Sequence, residues 1–308
     1  MNRWYARSLF LLTTALVLIL LIFQFPQGIA MNDDISSQVN TAFAAARKGD
    51  YEPVSQLGEQ GAKIIPYLQP YLRDEDEMVR LQAVALLTAS DDPAAIPLLA
   101  LALSDPLQDI RARAALALYE RHDPLQLAER PELGEALRAS LDQGNDAAAA
   151  ILLLSYYPGE STSAALQALD ERAGDAQTEL AAWTPVVPVT LVTAISRSRI
   201  GDQAARRMLL QTSADGSLAE REFLLSVLRE IDSPEVLHAL ASALDDTQEI
   251  GGGVPSGIQP QRRLCDLAAT SLIKRLNLKV NFSFSGQHRF TPAEIDTVRQ
   301  AMVAGLPR

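Results

Sequence analysis

The chain has 308 residues, 48% of them hydrophobic and 21% charged, a balance that supplies a sizeable core and excludes a wholly disordered polymer. A single cysteine, Cys265, excludes an intramolecular disulfide or a cysteine-based metal cluster, and His122, His238 and His288 stand far apart in sequence. Aromatic residues make up 6% while alanine and leucine recur throughout, a mixture that favours helices over sheets. The net charge of −11 is unevenly spread. Residues 31–257 carry seventeen basic and thirty-five acidic side chains, a net of −18, whereas residues 258–308 carry eight basic and three acidic, a net of +5. The acidic body repels phosphate backbones, so no nucleic-acid partner is expected; the basic tail suits the acidic body of its own chain or an anionic partner.

Arg3 and Arg7 precede SLFLLTTALVLILLIFQF, residues 8–25, an uncharged apolar run. Basic start, apolar run and the small Gly28 and Ala30 form the pattern of a secretory signal peptide. The run also approaches the ~17 residues that span a bilayer, so residues 1–30 read either as a cleaved signal or as an uncleaved anchor. The Gly28/Ala30 pair favours cleavage. Both readings place everything after residue 30 outside the cytoplasm, with membrane contact only through residues 8–25 if they are retained.

An internal repeat follows. IIPYLQPYLRDEDEMVRLQAVALL (64–87) aligns without gaps on AIPLLALALSDPLQDIRARAALAL (95–118), at an offset of 31. The apolar skeleton is kept: Ile65 with Ile96, Leu68 with Leu99, Leu72 with Leu103, Val79 with Ile110, Ala83 with Ala114, Leu87 with Leu118. The first helix of each unit is apolar at 65, 68 and 72 and the second at 79, 83, 86 and 87, with the acidic turn Asp74–Glu77 between them. Neither helix buries its stripe alone, so neighbouring units stack.

The D-x-x-x-x-[VI]-R-x-x-A pattern, at Asp74–Ala83 and Asp105–Ala114, resembles HEAT repeats, and its short period resembles the PBS-lyase HEAT-like variety. That resemblance implies structural roles for Asp74, Arg80, Asp105 and Arg111, which hold the turn and tie adjacent repeats, and implies no catalysis at those positions. The match is specific across 62–121 and weaker beyond.

Residues 133–157 keep the helix–turn–helix outline, with Ala148 where the arginine would fall. Further helices are predicted at 161–172, 175–182, 188–199, 201–212, 217–231 and 233–244. Ser217 with Glu220 forms a capping box, and Ser233–Pro234 places proline at a first helical position. TPVVP (184–188) breaks the run and is the one hinge expected in a continuous solenoid.

A last unit joins 233–246 to a helix at 262–276 through residues 247–261, whose four glycines and two prolines predict a loop. Gly251–Gly253 lacks the following G-K-[ST] and a preceding strand, so it is no phosphate loop. The insertion reads either as a binding loop with Arg262 and Arg263 at its base or as ordered filler over the end of the solenoid. Cys265 falls on the repeat position of Val79 and reads as a buried thiol. Asp266 replaces the repeat arginine and is expected to pair with Arg262 at i, i+4. In VNFSFSGQHRF (280–290), Val280, Phe282 and Phe284 alternate with polar residues, the period of an extended segment. Thr291–Pro292 with Glu294 then starts a capping helix. Phe282, Phe284 and Phe290 read as a lid over the open end or as an aromatic docking patch with His288 and Arg289 at its rim.

The predicted fold is all-α: an α-α superhelix (HEAT-like solenoid) over 31–277, with a short extended segment and capping helix at 278–308. No catalytic, metal-binding or cofactor-binding residue is recognisable, since Asp74, Asp76 and Glu77 lack the loop glycine of a calcium site. The function expected is a non-catalytic extracytoplasmic protein-interaction scaffold, its partner unidentified. Candidate partner-binding residues are Arg262, Arg263, Asp266, Phe282, Phe284, His288 and Arg289. Two alternatives stand beside it. The resemblance to phycobilin lyases implies a bilin-lyase-like enzyme or accessory factor, and the 247–263 segment suits a small-ligand or peptidoglycan-binding module.

Overall fold

A computed structural model describes residues 27–121, 129–181, 184–250, 261–285 and 288–305. The apolar run at 8–25 lies outside the described residues, as do positions 251–260 of the inserted loop. Among the described residues no helix is long and apolar enough to cross a membrane. The fold is all-α, and its compact contacts divide the chain between Ala102 and Leu103.

The first unit contains α1 (Gln27–Ala46), α2 (Glu52–Leu57), α3 (Glu77–Thr88) and α4 (Ala95–Ala102). Two 3₁₀ stretches, Gly58–Tyr67 and Gln69–Arg73, stand where the sequence predicts the first helix of the first repeat. The cause is local. Pro66 and Pro70 lack the amide that an α-helical ladder needs, and Gly61 at φ +57° turns the chain beneath them. The predicted apolar positions are nevertheless buried, Ile65, Leu68 and Leu72 before the turn and Val79, Ala83 and Leu87 on α3. Phe43 of α1 stacks on Tyr71 with ring centroids 3.8 Å apart, and the Tyr71 hydroxyl donates to Asn40 Oδ1 at 2.5 Å.

The second unit runs α5 (Gln108–Glu120), α6 (Pro131–Asp142), α7 (Ala148–Leu154), α8 (Glu160–Ala173), α9 (Val189–Arg199), α10 (Gln203–Asp215), α11 (Leu218–Val227), α12 (Pro234–Ser242), α13 (Leu264–Leu276) and α14 (Pro292–Gly305). The helix expected at 175–182 is absent. Gln177–Thr178 (β1) instead pairs antiparallel with Val187–Pro188 (β2), and the Thr184 hydroxyl accepts from the Leu180 and Ala181 amides, closing the proline-rich stretch on itself. The capping box at Ser217 and Glu220 and the first-turn proline at Pro234 form as predicted.

The repeat residues do the same work in both units. Asp74 Oδ1 accepts from the Asp76 amide at 3.1 Å, and Asp105 Oδ1 accepts from the Leu107 amide at 2.8 Å, so each carboxylate closes a turn onto the next helix start. Arg80 Nη1 donates to the carbonyls of Asp74 and Glu75, and Arg111 Nη1 to those of Asp105 and Pro106. The tie to the neighbour is also visible. Asp74 accepts both Nε and Nη2 of Arg47 at the end of α1, and Arg111 Nη2 reaches the Gln143 carbonyl at 3.1 Å. In the next copy the Ala147 amide donates to Asn145 Oδ1, which makes Asn145 the turn residue. The lost arginine therefore falls at Ile151, six residues on as in the other copies, rather than at Ala148.

Three second helices of the later pairs, α7, α9 and α13, are the most buried. All seven residues of α7 are buried, as are eight of the eleven in α9 and ten of the thirteen in α13. Helix α7 packs on α5 and α9, and α13 on α11, α12 and α14. Hydroxyls and guanidiniums stitch one second helix to the last: Ser196 Oγ donates to the Ile151 carbonyl and Ser271 Oγ to the Leu225 carbonyl. Arg199 and Arg275 reach the carbonyls of Leu152 and Arg229. Glu230 then draws distant parts of the unit together, accepting from Tyr119 at 3.5 Å, Tyr156 at 3.1 Å and Arg199. Burial beside that carboxylate pushes the Tyr119 and Tyr156 hydroxyls above their ordinary range.

Arg111 is 5% exposed and satisfies three carbonyls. Arg111→Ala is expected to cost about 2–3 kcal/mol by leaving buried acceptors unpaired. Arg111→Lys should recover only part of that, because an ammonium cannot fork between carbonyls. Urea unfolding measures both; an unchanged midpoint for the alanine variant contradicts the assigned role.

Candidate functional site

Two places in the second unit gather chemistry. The first contains the residues singled out in the sequence. At the feet of the inserted loop the chain is zipped into a short ladder: the Leu264 amide donates to the Gln248 carbonyl at 3.0 Å, the Ile250 amide to the Arg262 carbonyl at 2.8 Å, and the Cys265 amide to the Asp246 carbonyl at 2.9 Å. Asp246 also accepts from the Gln248 amide, the same turn that Asp74 and Asp105 make. With no repeat arginine on this helix, the Cys265 amide takes the Asp246 carbonyl in its place.

Asp266 is wholly buried, so the expectation that it meets a partner is not met. Its expected pairing with Arg262 is replaced by one with Arg263, whose Nη2 donates to Oδ1 at 2.8 Å and whose Nε and backbone amide donate to Oδ2. The reason is positional. Arg263 is the extended residue that caps α13, so its side chain folds back over the first turn; Arg262 precedes the helix, where i, i+4 spacing has no meaning. The pair reads one residue of the C-terminal segment: the Phe290 amide donates to Asp266 Oδ1 at 2.9 Å, and Arg263 Nη2 donates to the Phe290 carbonyl at 2.5 Å. Arg262 is half-buried, and burial holds its guanidinium below its ordinary value while burial lifts the Glu222 carboxyl nearby. Cys265 is buried, and desolvation pushes its thiol up.

The aromatic residues do cluster. Phe290 is buried and meets His288 edge-on at 4.6 Å, Phe282 edge-on at 5.8 Å and Phe284 at 5.9 Å. Phe282 stacks on His288 at 6.3 Å. Residues 280–285 are irregular rather than strand, and Phe282 and Phe284 pack their rings on Phe290. His288 Nε2 lies 3.4 Å from Glu294, which also accepts from the Thr291 amide and hydroxyl in the predicted cap of α14. Arg289 grips both feet of the loop through Glu249 at 3.0 Å and the Gln261 carbonyl. Arg263, Asp266 and Arg289 thus fasten the C-terminal segment to its own chain, the self-directed role that the basic tail allowed.

The second place was not legible in the sequence. A cavity of about 700 Å³ opens between α10, α11 and α12. Leu210, Ser213 and Ala214 form one wall, and Pro234, Glu235, His238, Ala239, Ser242 and Ala243 the other, with Arg221 and Asp246 at one end. Arg221 is held there by an ion pair with Asp246 and by Gln248 Oε1 at 3.2 Å. The volume is in the range of ligand sites. Its i, i+3, i+4 spacings look like any outward-facing helix stripe, so only tertiary pairing reveals a cleft. Among the described residues no cluster of metal-ligating side chains forms.

Asp266→Ala is expected to cost about 3–5 kcal/mol by stranding Arg263, and to release the Phe290 amide to rapid hydrogen exchange. Retained protection at Phe290 would refute the clamp. The pH dependence concerns Glu294. The Thr291 amide holds its carboxyl below the ordinary range, so its contribution is present above the unfolded value and lost as pH falls through the folded one. The stability gap between the protein and Glu294→Gln should shrink from about pH 5 to about pH 3.

Residues 38–119 match the family described as HEAT repeats. No curated protein matches the chain. Among solved structures, human deoxyhypusine hydroxylase in complex with glycerol is similar over 91% of this chain and 97% of that one, at 16% identity and a TM-score of 0.33. The spacing of Asp74, Arg80, Asp105 and Arg111 and their shared hydrogen bonds coincide with the matched segment. Within residues 38–119 the chain is therefore similar to HEAT repeats.

Proposed function

We propose that this protein is a non-catalytic interaction scaffold working outside the cytoplasm, and that it binds through the outer cleft between α10, α11 and α12. The observation that carries the reading is the contrast between two faces of the second unit. Three of the second helices, α7, α9 and α13, are buried over most of their length, while the second helix α11 buries only Phe223, Leu224, Leu225 and Val227 and lends Arg221 to the cleft. The first helices α10 and α12 leave an open cleft in which Ser213, Ala214, Ala239, Ser242 and Ala243 keep the lining low. A scaffold of stacked helices binds with the surface that stacking leaves uncovered.

The location rests on the sequence: Arg3, Arg7, the apolar run and the Gly28/Ala30 pair that follow the export pattern. The bonds among Arg263, Asp266 and Phe290 support a C-terminal segment fastened to its own chain.

A photoreactive phenylalanine analogue at His238, in the full chain in its native cells, tests the site. Crosslinks to a defined partner are expected at His238 and not at Arg113, an exposed position on α5. The reverse pattern would overturn the assignment of the cleft. A cysteine-labelling reagent that cannot cross the inner membrane, applied to a variant with cysteine at exposed Glu171, should label intact cells; labelling only after lysis would contradict export.

A further inference from the structure

The cleft has a shape and a charge that specify more than an unnamed partner. We infer that it receives an amphipathic cationic helix, an apolar stripe flanked by lysine or arginine, presented by another protein. This inference rests on the cleft being the docking site and names the chemistry that fits it.

The shape comes first. Each wall is one face of one helix. On α10 the lining residues Leu210, Ser213 and Ala214 follow i, i+3, i+4, and on α12 Glu235, His238, Ala239 and Ser242 follow i, i+3, i+4, i+7. The α12 wall therefore runs about 10 Å along its axis, two turns of a docked helix. Ala214, Ala239, Ala243, Ser213 and Ser242 keep both walls low, so a third helix can approach closely, while Leu210 and Pro234 add apolar surface to the walls. Helix-in-groove recognition has these requirements.

Charge sets the sign of the partner. Arg221, at one end, is neutralised by Asp246 and also bonded to Gln248. Glu235, in the first turn of α12 and so at the other end, is exposed and has no ion pair among the described residues. Its side-chain contact is the neutral Ser233 hydroxyl, which holds the carboxyl below its ordinary value and keeps it charged. Arg206 feels the same carboxylate but reaches instead towards the Ser198 carbonyl at 3.5 Å. Arg221, Glu235 and Asp246 together leave the lining with one uncompensated negative charge, within a body whose residues 31–257 carry a net of −18. A basic side chain next to the apolar stripe meets that carboxylate, whereas an acidic helix is repelled.

The test uses two fluorescent helical peptides of equal length, one of leucine and lysine and one of leucine and glutamate, with binding to the full chain read by anisotropy. The leucine–lysine peptide is expected to bind and the leucine–glutamate peptide not. Glu235→Lys should weaken binding at least about tenfold, and Ala239→Trp, which fills the cleft, should abolish it. Glu171→Lys, the same charge change on α8, controls for general attraction and should leave binding within about twofold. Circular dichroism confirms the fold of Ala239→Trp, and the surface change Glu235→Lys decides the matter if that variant is unfolded. Equal binding of both peptides, or equal effects of Glu235→Lys and Glu171→Lys, overturns the inference. If crosslinks at His238 still capture a partner in that case, the scaffold reading stands and only the cationic assignment falls; if those crosslinks are also missing, both fall.

Discussion

The structure depends on guanidinium groups that satisfy the carbonyls left open where helices end. The last turn of every helix leaves carbonyl oxygens without an intrahelical donor, and stacked helix pairs bury many such ends. Arg172 fills this need at Leu141, Arg199 at Leu152 and Arg275 at Arg229, while Arg80 and Arg111 bond the turn carbonyls just before α3 and α5 and Arg263 bonds the Phe290 carbonyl before α14. A forked donor serves two carbonyls at once, which explains why the repeat position is arginine and not lysine. Where the arginine is lost the solution changes in kind. Ile151 adds an apolar residue to a wholly buried helix, and Cys265 supplies a backbone amide instead.

This bonding has a consequence for binding. Glu230 gathers Tyr119, Tyr156 and Arg199 from three different helix ends, and serine hydroxyls bond one second helix to its predecessor. Polar groups that could have faced a partner are consumed internally, and α7 and α9 become core. The second unit therefore uses its inner helices for stability and leaves recognition to its outer ones. The C-terminal segment follows the same logic, since a buried Arg263–Asp266 pair reads the backbone of Phe290 and turns aromatic rings inward over the end of α13.

The repeats were legible because a 31-residue offset preserves apolar positions and the Asp–Arg pair that closes each turn. Caps at Ser217 and Thr291 were legible for the same local reason, hydrogen bonding within one turn, and Pro234 because its fixed φ suits a first helical position. What failed needed information beyond the turn. Pro66 and Pro70 tightened a predicted α-helix into 3₁₀ stretches. The segment 175–182 has helical composition, but the partner strand at Val187–Pro188 claims two of its residues. Asp266 was assigned to Arg262 by helical spacing although Arg262 lies outside the helix. The cleft between α10 and α12 was invisible because nothing in either helix alone marks which neighbour leaves a gap.

Native-state hydrogen exchange on the full chain tests the central claim, that the second helices α7, α9 and α13 form a closed core, most directly. Amides of α7, α9 and α13 are predicted to be the slowest in the protein and to exchange only with global unfolding of the second unit. Exchange of α9 through a local opening, faster than that of the outer helices α10 and α12, would show an accessible inner face and contradict the account.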